Sequence, residues 1–223
     1  MIYTMSSKRD RGILLPSLQS RMNLLNPLTI ACASACGLIN HAFPAGCHAN
    51  ATNMDGCILT TMNEHVDDMN ATIQARAVGE ERTYKSADYF GPDAEEEQGV
   101  YPVEILNTLT PSGMAPHQLT LRVGSPVVFL RNLNREQGMM NGTRAIILAL
   151  RPWSVQVRLT TGPRSGDSFV VPRINLTSPD STTEHIRFMR RQLPLRLAYC
   201  MTINKAQGQT FRVATSFADM PVS

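Results

Sequence analysis

The heptapeptide Asn204-Lys205-Ala206-Gln207-Gly208-Gln209-Thr210 sets three amides, an ammonium, a hydroxyl and a glycine in a row. Such a set suits a sugar–phosphate ligand better than a turn. The ammonium is a point charge for a phosphate, and amides and hydroxyls are the groups that fix a protein's position along a nucleic-acid backbone. Gly208 lets the main chain approach a ligand closely. Thr202, two residues upstream, adds another hydroxyl. Thr202, Asn204, Lys205 and Gln207 are therefore candidate nucleic-acid contacts. Gly208, Gln209 and Thr210 are candidates for the ribose or phosphate of a nucleotide. A helix N-terminus with incidental polar side chains is the competing reading of the same residues.

No other constellation carries chemistry. The five histidines (His41, His48, His65, His117, His185) sit in no recognisable motif, so no catalytic residue is assigned. The five cysteines (Cys32, Cys36, Cys47, Cys57, Cys200) form no CxxC pair, which argues against a zinc site or a disulfide framework and for a reduced, intracellular setting. Asn50, Asn70, Asn141 and Asn175 begin N-x-[ST] triplets, read as chance matches. The run of glutamates in Gly91–Gly99 follows no apolar strand and reads as a solvated loop, not a metal box.

The elements that must position the heptapeptide are legible around it. "LPLRLAYCMTI", from Leu193 to Ile203, reads as one long buried strand of the parallel-sheet kind, with the polar segment at its tip. "CILTT" (Cys57 to Thr61) is a second β run. Asn63 then caps a segment whose apolar residues Val66, Met69, Ile73 and Ala77 recur at helical spacing. Strand, loop and helix make the unit from which α/β sheets are assembled.

From Leu119 the period becomes two. Leu119, Leu121 and Val123 alternate with polar residues, and Gly124-Ser125-Pro126 interrupts before "VVFL". Asn141-Gly142 is a hairpin signal of the type I′ kind. "RAIILAL", the alternating Val155, Val157 and Leu159, and "SFVVP" add strands at roughly ten-residue intervals, the mark of a small barrel or curled sheet. That β segment is expected to end before Leu193. The order implies an α/β domain interrupted by an inserted β module.

Composition agrees with a folded chain: 223 residues, 43% apolar and 17% charged. The longest apolar stretch near the N-terminus, Leu28 to Ile39, is too short to span a bilayer, so no membrane partner is expected. The net charge of +3 hides an asymmetry. Residues 1–111 hold 7 basic and 13 acidic side chains, whereas residues 112–223 hold 14 basic and 5 acidic. A basic half points to a polyanion-facing surface. Arg122, Arg131, Arg144, Arg173, Arg190, Arg191 and Arg196 are the arginines that could line it.

Three blocks in order, "GCILTTMNEHVDDMN", "YPVEILNTLTPSGMAPHQLTLRVGSPVVFLRNLNREQGMMNGTRAII" and "RLAYCMTINKAQGQTF", closely resemble superfamily 1 ATP-dependent DNA helicases of the petite-integration-frequency type, relatives of the RecD helicases that include those of Helitron transposons. The resemblance runs from about His41 to Phe211, and residues 1–40 stand outside it as an unassigned leader. It implies an α/β fold: an incomplete second RecA-like domain with an inserted small SH3-like β-barrel. The implied division is residues 41–100 in the first part of that domain, 101–192 in the insert, and 193–223 in the return that carries helicase motif V. "LTTMN" resembles the motif that opens the second RecA-like domain, which adds Asn63 to the nucleic-acid contacts. Where relatives often carry His and Glu, this chain has Asn204 and Thr210. Asn204 can donate a hydrogen bond but cannot titrate.

The activity implied is 5′-to-3′ DNA unwinding with ATP and magnesium as cofactors. Single-stranded DNA would be the partner and the nucleus the location, with roles in repair, recombination and telomere maintenance. The residues that would complete that activity are not all here. A phosphate loop needs G-x-x-x-x-G-K-[ST], and no Gly-Lys pair occurs in the 223 residues. The expectation is one wall of a cleft whose facing wall, on a first RecA-like domain, is not encoded in this chain, and a chain that alone hydrolyses no ATP. A non-catalytic single-strand-binding module, or a transposon-derived remnant, is the alternative. Its stacking aromatics would be Phe129, Trp153 and Phe169, although Trp153, beside Pro152 at a strand start, reads as packed rather than free.

Overall fold

The computed structural model describes residues 30–31, 39, 42–43, 56–91, 101–178, 186–207 and 213–217. In chain order the elements are β1 (Ile30–Ala31), β2 (Gly56–Thr60), α1 (Asn63–Arg76), β3 (Glu81–Lys85), β4 (Ala87–Tyr89), α2 (Val103–Thr108), β5 (Gln118–Arg122), β6 (Pro126–Phe129), β7 (Arg144–Leu150) and β8 (Ser154–Leu159). There follow β9 (Ser168–Pro172), β10 (Ile174–Thr177), β11 (Met189–Gln192), β12 (Leu195–Leu197), β13 (Cys200–Thr202), the single turn α3 (Ile203–Ala206) and β14 (Val213–Phe217).

A parallel sheet runs in the order β1-β14-β2-β13. Every residue of β2 is buried, as a strand covered on both faces requires. α1 packs on this sheet through Val66, Met69 and Ile73, the positions that the helical spacing selects. Asn63 does not cap it. Met62 occupies the cap position in extended conformation with no side-chain bond, and Asn63 is the first helical residue. Its side chain is exposed instead.

Antiparallel strands form the rest. Five run in the order β12-β6-β7-β8-β9, with a register shift between Ile147 and Ala149 that bends β7. Their inward residues, among them Val127, Phe129, Ile147, Val155, Val157, Leu159 and Val171, join Leu119 and Leu121 of the β3–β5 pair in one core. A third sheet, β10-β11-β4, carries α2 beside it.

Two expectations are corrected here. The run from Leu193 to Ile203 is two strands, not one. β12 pairs antiparallel with β6, whereas β13 pairs parallel with β2. The chain changes sheets at Ala198-Tyr199, where the Ala198 N–H bonds to the Pro126 carbonyl and the Tyr199 carbonyl accepts from the Ile58 N–H. Leu195 and all of β13 are buried, and apolar residues predominate on both sides of the switch, so the run reads as continuous in sequence. The antiparallel part therefore extends past Leu193 to Leu197.

Asn141-Gly142 is not a two-residue link between neighbouring strands either. β6 and β7 are joined by an excursion through the Asn134–Met139 bridge. The Asn-Gly pair turns the chain back into β7 through a Thr143 N–H to Met140 carbonyl bond, with Gly142 at a φ of 86°. The dipeptide marks a turn, and the strands on either side of its excursion do pair antiparallel, but the link is longer than two residues.

Of the arginines expected to line a channel, Arg144 and Arg196 reach the groove described below, whereas Arg190 does not. Arg190 is fully buried, with two guanidinium nitrogens on the Asp88 carboxylate at 2.9 and 2.7 Å and further bonds to the Ala115 and Leu106 carbonyls. Arg144 is 3% exposed and donates from Nη2 to the carbonyls of Gly56 and Ala198, which ties β7 to the parallel sheet. These two arginines hold the fold together.

Candidate functional site

β13 ends at Thr202 and the chain enters α3 at once, so the polar segment begins on a strand whose position is fixed from two sides. One side is the pairing with β2. β13 is the last strand of the sheet among the described residues, and its other side is held by a side chain. Asn70 of α1 donates from Nδ2 to the Cys200 carbonyl at 3.1 Å and accepts from the Cys200 N–H at 2.9 Å. A strand margin thus gains the two hydrogen bonds that a further strand would have supplied. Because Asn70 is buried and fully engaged, its N-x-[ST] triplet is structural.

At the tip of β13 lies a groove of about 1020 Å³. Its lining includes Asn63, Arg196, Thr202, Lys205 and Gln207. Four of the five predicted nucleic-acid contacts are thereby brought together from two segments about 140 residues apart in sequence. Thr202 is largely buried, whereas Asn63, Lys205 and Gln207 are accessible. Asn204, the fifth, is exposed on α3 but does not line the groove. Gly208, Gln209 and Thr210 lie outside the described residues.

The rest of the groove's lining was not legible as a site in the sequence. It includes loops of this same chain: Asn141, Gly142 and Thr143 before β7, and Thr160, Thr161, Gly162 and Ser165 between β8 and β9. Only turn chemistry marked these residues in sequence. Their hydroxyls and glycines, which read as loop formers, are also small polar groups suited to a phosphate backbone.

Charge inside the groove is ordered by one ion pair. Arg196 donates from Nη2 to both Asp67 carboxylate oxygens, at 2.5 and 2.7 Å. Burial holds the Lys205 ammonium below the usual lysine range, the Arg196 charge lowers it further, and Asp67 opposes both. The ammonium reaches solvent at the rim, but the walls strip enough water to disfavour its charge. A phosphate bound beside it would reverse that shift.

Ser86, His117 and Asp88 also meet, without forming a nucleophilic relay. The Ser86 hydroxyl donates to Asp88 at 2.6 Å, and His117 Nδ1 lies 2.8 Å from the same hydroxyl and 3.7 Å from the other Asp88 oxygen. A triad needs an imidazole that spans nucleophile and acid with its two nitrogens. Here one nitrogen faces both, and Asp88 is committed to Arg190. Among the described residues no group of three metal-ligating side chains could hold a metal ion, and no helix is long and apolar enough to cross a membrane.

A parallel sheet with α1 packed on it, continued by antiparallel strands, is a fold shared with solved Pif1 helicases. The same architecture is found in Pif1 from Candida albicans, at a TM-score of 0.52 and 21% identity over 88% of this chain and 47% of that one. It is found again in Bacteroides Pif1 bound to single-stranded DNA, at 0.51 and 22% over 72% of this chain and 34% of that one. Residues 104–150 match the family model for the 2B domain of DNA helicase Pif1. Human ATP-dependent DNA helicase PIF1 is 27% identical over 159 residues, and the zebrafish protein 26% over 162, in each case 70% of this chain and 22% of the relative. The chain is a partial relative of the Pif1-type superfamily 1 helicases, and it spans less than a quarter of the length of these curated relatives.

Proposed function

We propose that this chain forms part of a Pif1-type, 5′-to-3′ ATP-dependent DNA helicase and that its groove holds single-stranded DNA. The observation that carries the reading is the convergence of Asn63, Thr202, Lys205 and Gln207 on one groove, whose lining also includes Gly142, Thr143, Thr160 and Thr161. Support for the ligand comes from relatives: a Bacteroides Pif1 is known bound to single-stranded DNA, and another complex of it holds ADP-AlF3 with single-stranded DNA. In this reading Lys205 neutralises a phosphate, the amides and hydroxyls set the strand's position, and Arg196 keeps the wall in place through Asp67.

The parallel-sheet residues belong to a second RecA-like domain, and the antiparallel residues to an inserted SH3-like module, with residues 1–40 as a leader of unassigned role. The expected division at residues 41–100, 101–192 and 193–223 is carried into this proposal, with the return to the parallel sheet placed after Leu197. Gly208, Gln209 and Thr210 would be this chain's contribution to a nucleotide site. The phosphates and magnesium of ATP would be held mainly by a domain with a phosphate loop, since no Gly-Lys pair occurs here. The chain alone is accordingly a strand-binding half and not a complete motor.

Titration of a labelled oligothymidylate against the chain and its Lys205→Ala variant, at several salt concentrations, tests the reading. Weaker binding and a salt slope smaller by about one are expected for the variant. Equal affinity and slope for both would refute it.

A further inference from the structure

At the far end of the β8–β9 hairpin from the groove stands Trp153, the only tryptophan in the chain. It is 73% exposed, contrary to the packed position that its neighbour Pro152 implied. The six residues of β8 place it roughly 20 Å from Thr160 and Thr161. One face of the indole is covered by the Arg173 guanidinium, 5.2 Å from the ring centroid. The same guanidinium lies 5.6 Å from the ring centroid of Tyr84, which is buried, and Arg173 donates from Nη1 to the Lys85 carbonyl at 2.9 Å. The arginine is therefore fixed from beneath, and it fixes the indole. Arg151, exposed two residues before Trp153, accepts the Tyr84 hydroxyl on its carbonyl, and Arg82, on the strand that carries Tyr84, acts on the same ring. Glu80 is the acid that acts on Tyr84 from the same side.

A single exposed apolar side chain needs no explanation. A large aromatic clamped on one face by a cation and open on the other is a different object. Bases of single strands stack on aromatic platforms set in positive surroundings, and arginine adds cation–π attraction to the same ring. Neither Phe129, fully buried, nor Phe169, half-buried, offers such a face. We infer that Trp153 and Arg173, with Arg82 and Arg151, form a second nucleic-acid contact, on which an unpaired base stacks on the free indole face while the cations meet flanking phosphates. The inference shares its ligand class with the groove but rests on different residues, so each can fail alone.

Because Trp153 is the sole tryptophan, its emission reports this surface directly. Oligothymidylate should quench it, with the midpoint that anisotropy of a labelled copy of the same strand gives. Trp153→Ala should weaken binding roughly tenfold, and Arg173→Gln should lower the salt slope by about one. Trp153 is exposed and Arg173 only half-buried, so Trp153→Ala leaves the core intact, and circular dichroism checks that both variants keep the fold. Binding seen by anisotropy with no change in emission, and unaltered by Trp153→Ala, overturns the proposal and leaves the groove reading standing if Lys205→Ala still weakens the complex. Quenching at wild-type affinity in Lys205→Ala upholds it and removes the groove reading. No binding of the strand at all ends both. Self-association that Trp153→Ala abolishes, with no response to oligonucleotide, would make the surface a protein contact and overturn the proposal.

Discussion

The Asn70 side chain holds the backbone of Cys200 through both its N–H and its carbonyl, at 2.9 and 3.1 Å. An amide on α1 thus completes the marginal strand β13, and through it sets where Thr202 and Lys205 point. Asn70 does not line the groove, whereas Cys200 does, so the lining depends on a side chain outside it.

Asn70→Ala leaves a buried N–H and a buried carbonyl without partners, and should cost about 2–4 kcal/mol of stability. Urea unfolding measures the loss. Under conditions where the variant remains folded, it should also bind oligothymidylate more weakly than wild type, because the tip of β13 is no longer held. A variant as stable as wild type would mean that water replaces both bonds.

The Asp88–Arg190 pair predicts a strong asymmetry between single and double substitutions. Both side chains are inaccessible to solvent. Removal of either partner strands the other charge in the core, at about 3–5 kcal/mol, whereas Asp88→Leu with Arg190→Met should recover most of that loss. Denaturation midpoints of the three variants decide the matter. Additive losses in the double variant would show that the pair does not act as a unit.

Burial pushes the Cys57 thiol up from about 9.0 to about 11 and raises that of Cys200 as well. Both should resist alkylation at neutral pH in the native chain and react on unfolding, with mass spectrometry assigning each site. The sign for stability follows. The folded state binds the proton more tightly, so stability is lost as pH rises from about 9 through about 11.

Lys205 has the opposite sign. Its ammonium is disfavoured in the folded chain by burial and by Arg196. Stability should therefore rise with pH as the solution passes through the lowered lysine value towards the ordinary one. Strand affinity should fall over that same alkaline window, and the fall should vanish in Lys205→Ala. A pH profile of binding identical for both chains would exclude Lys205 as the phosphate contact.

Phosphate release from ATP by the purified chain, with and without single-stranded DNA, should stay at background, since the residues that cradle the phosphates in such motors are not in its sequence. DNA-stimulated turnover would contradict the half-motor reading directly.

Helical spacing found α1, and β-favouring runs, alternation and turn residues found β2 and the strands from Leu119 to Pro172, because a repeat of 3.6 or two sorts side chains onto faces whatever they pack against. Residue chemistry alone singled out Thr202, Lys205 and Gln207. What it could not show was the split of Leu193–Ile203 between two sheets, because a buried run of either sheet has the same apolar composition. Nor did it show that Asn63 would leave its cap to face the groove, that Arg144 and Arg190 would be buried by their bonds to carbonyls and to Asp88, or that Trp153 would stand free on Arg173. Each of these depends on a partner remote in sequence: Ala198 for Arg144, Asp88 for Arg190, the Thr160–Ser165 loop for the groove. Local sequence fixes which face a residue takes. Only tertiary packing decides which distant group that face will meet.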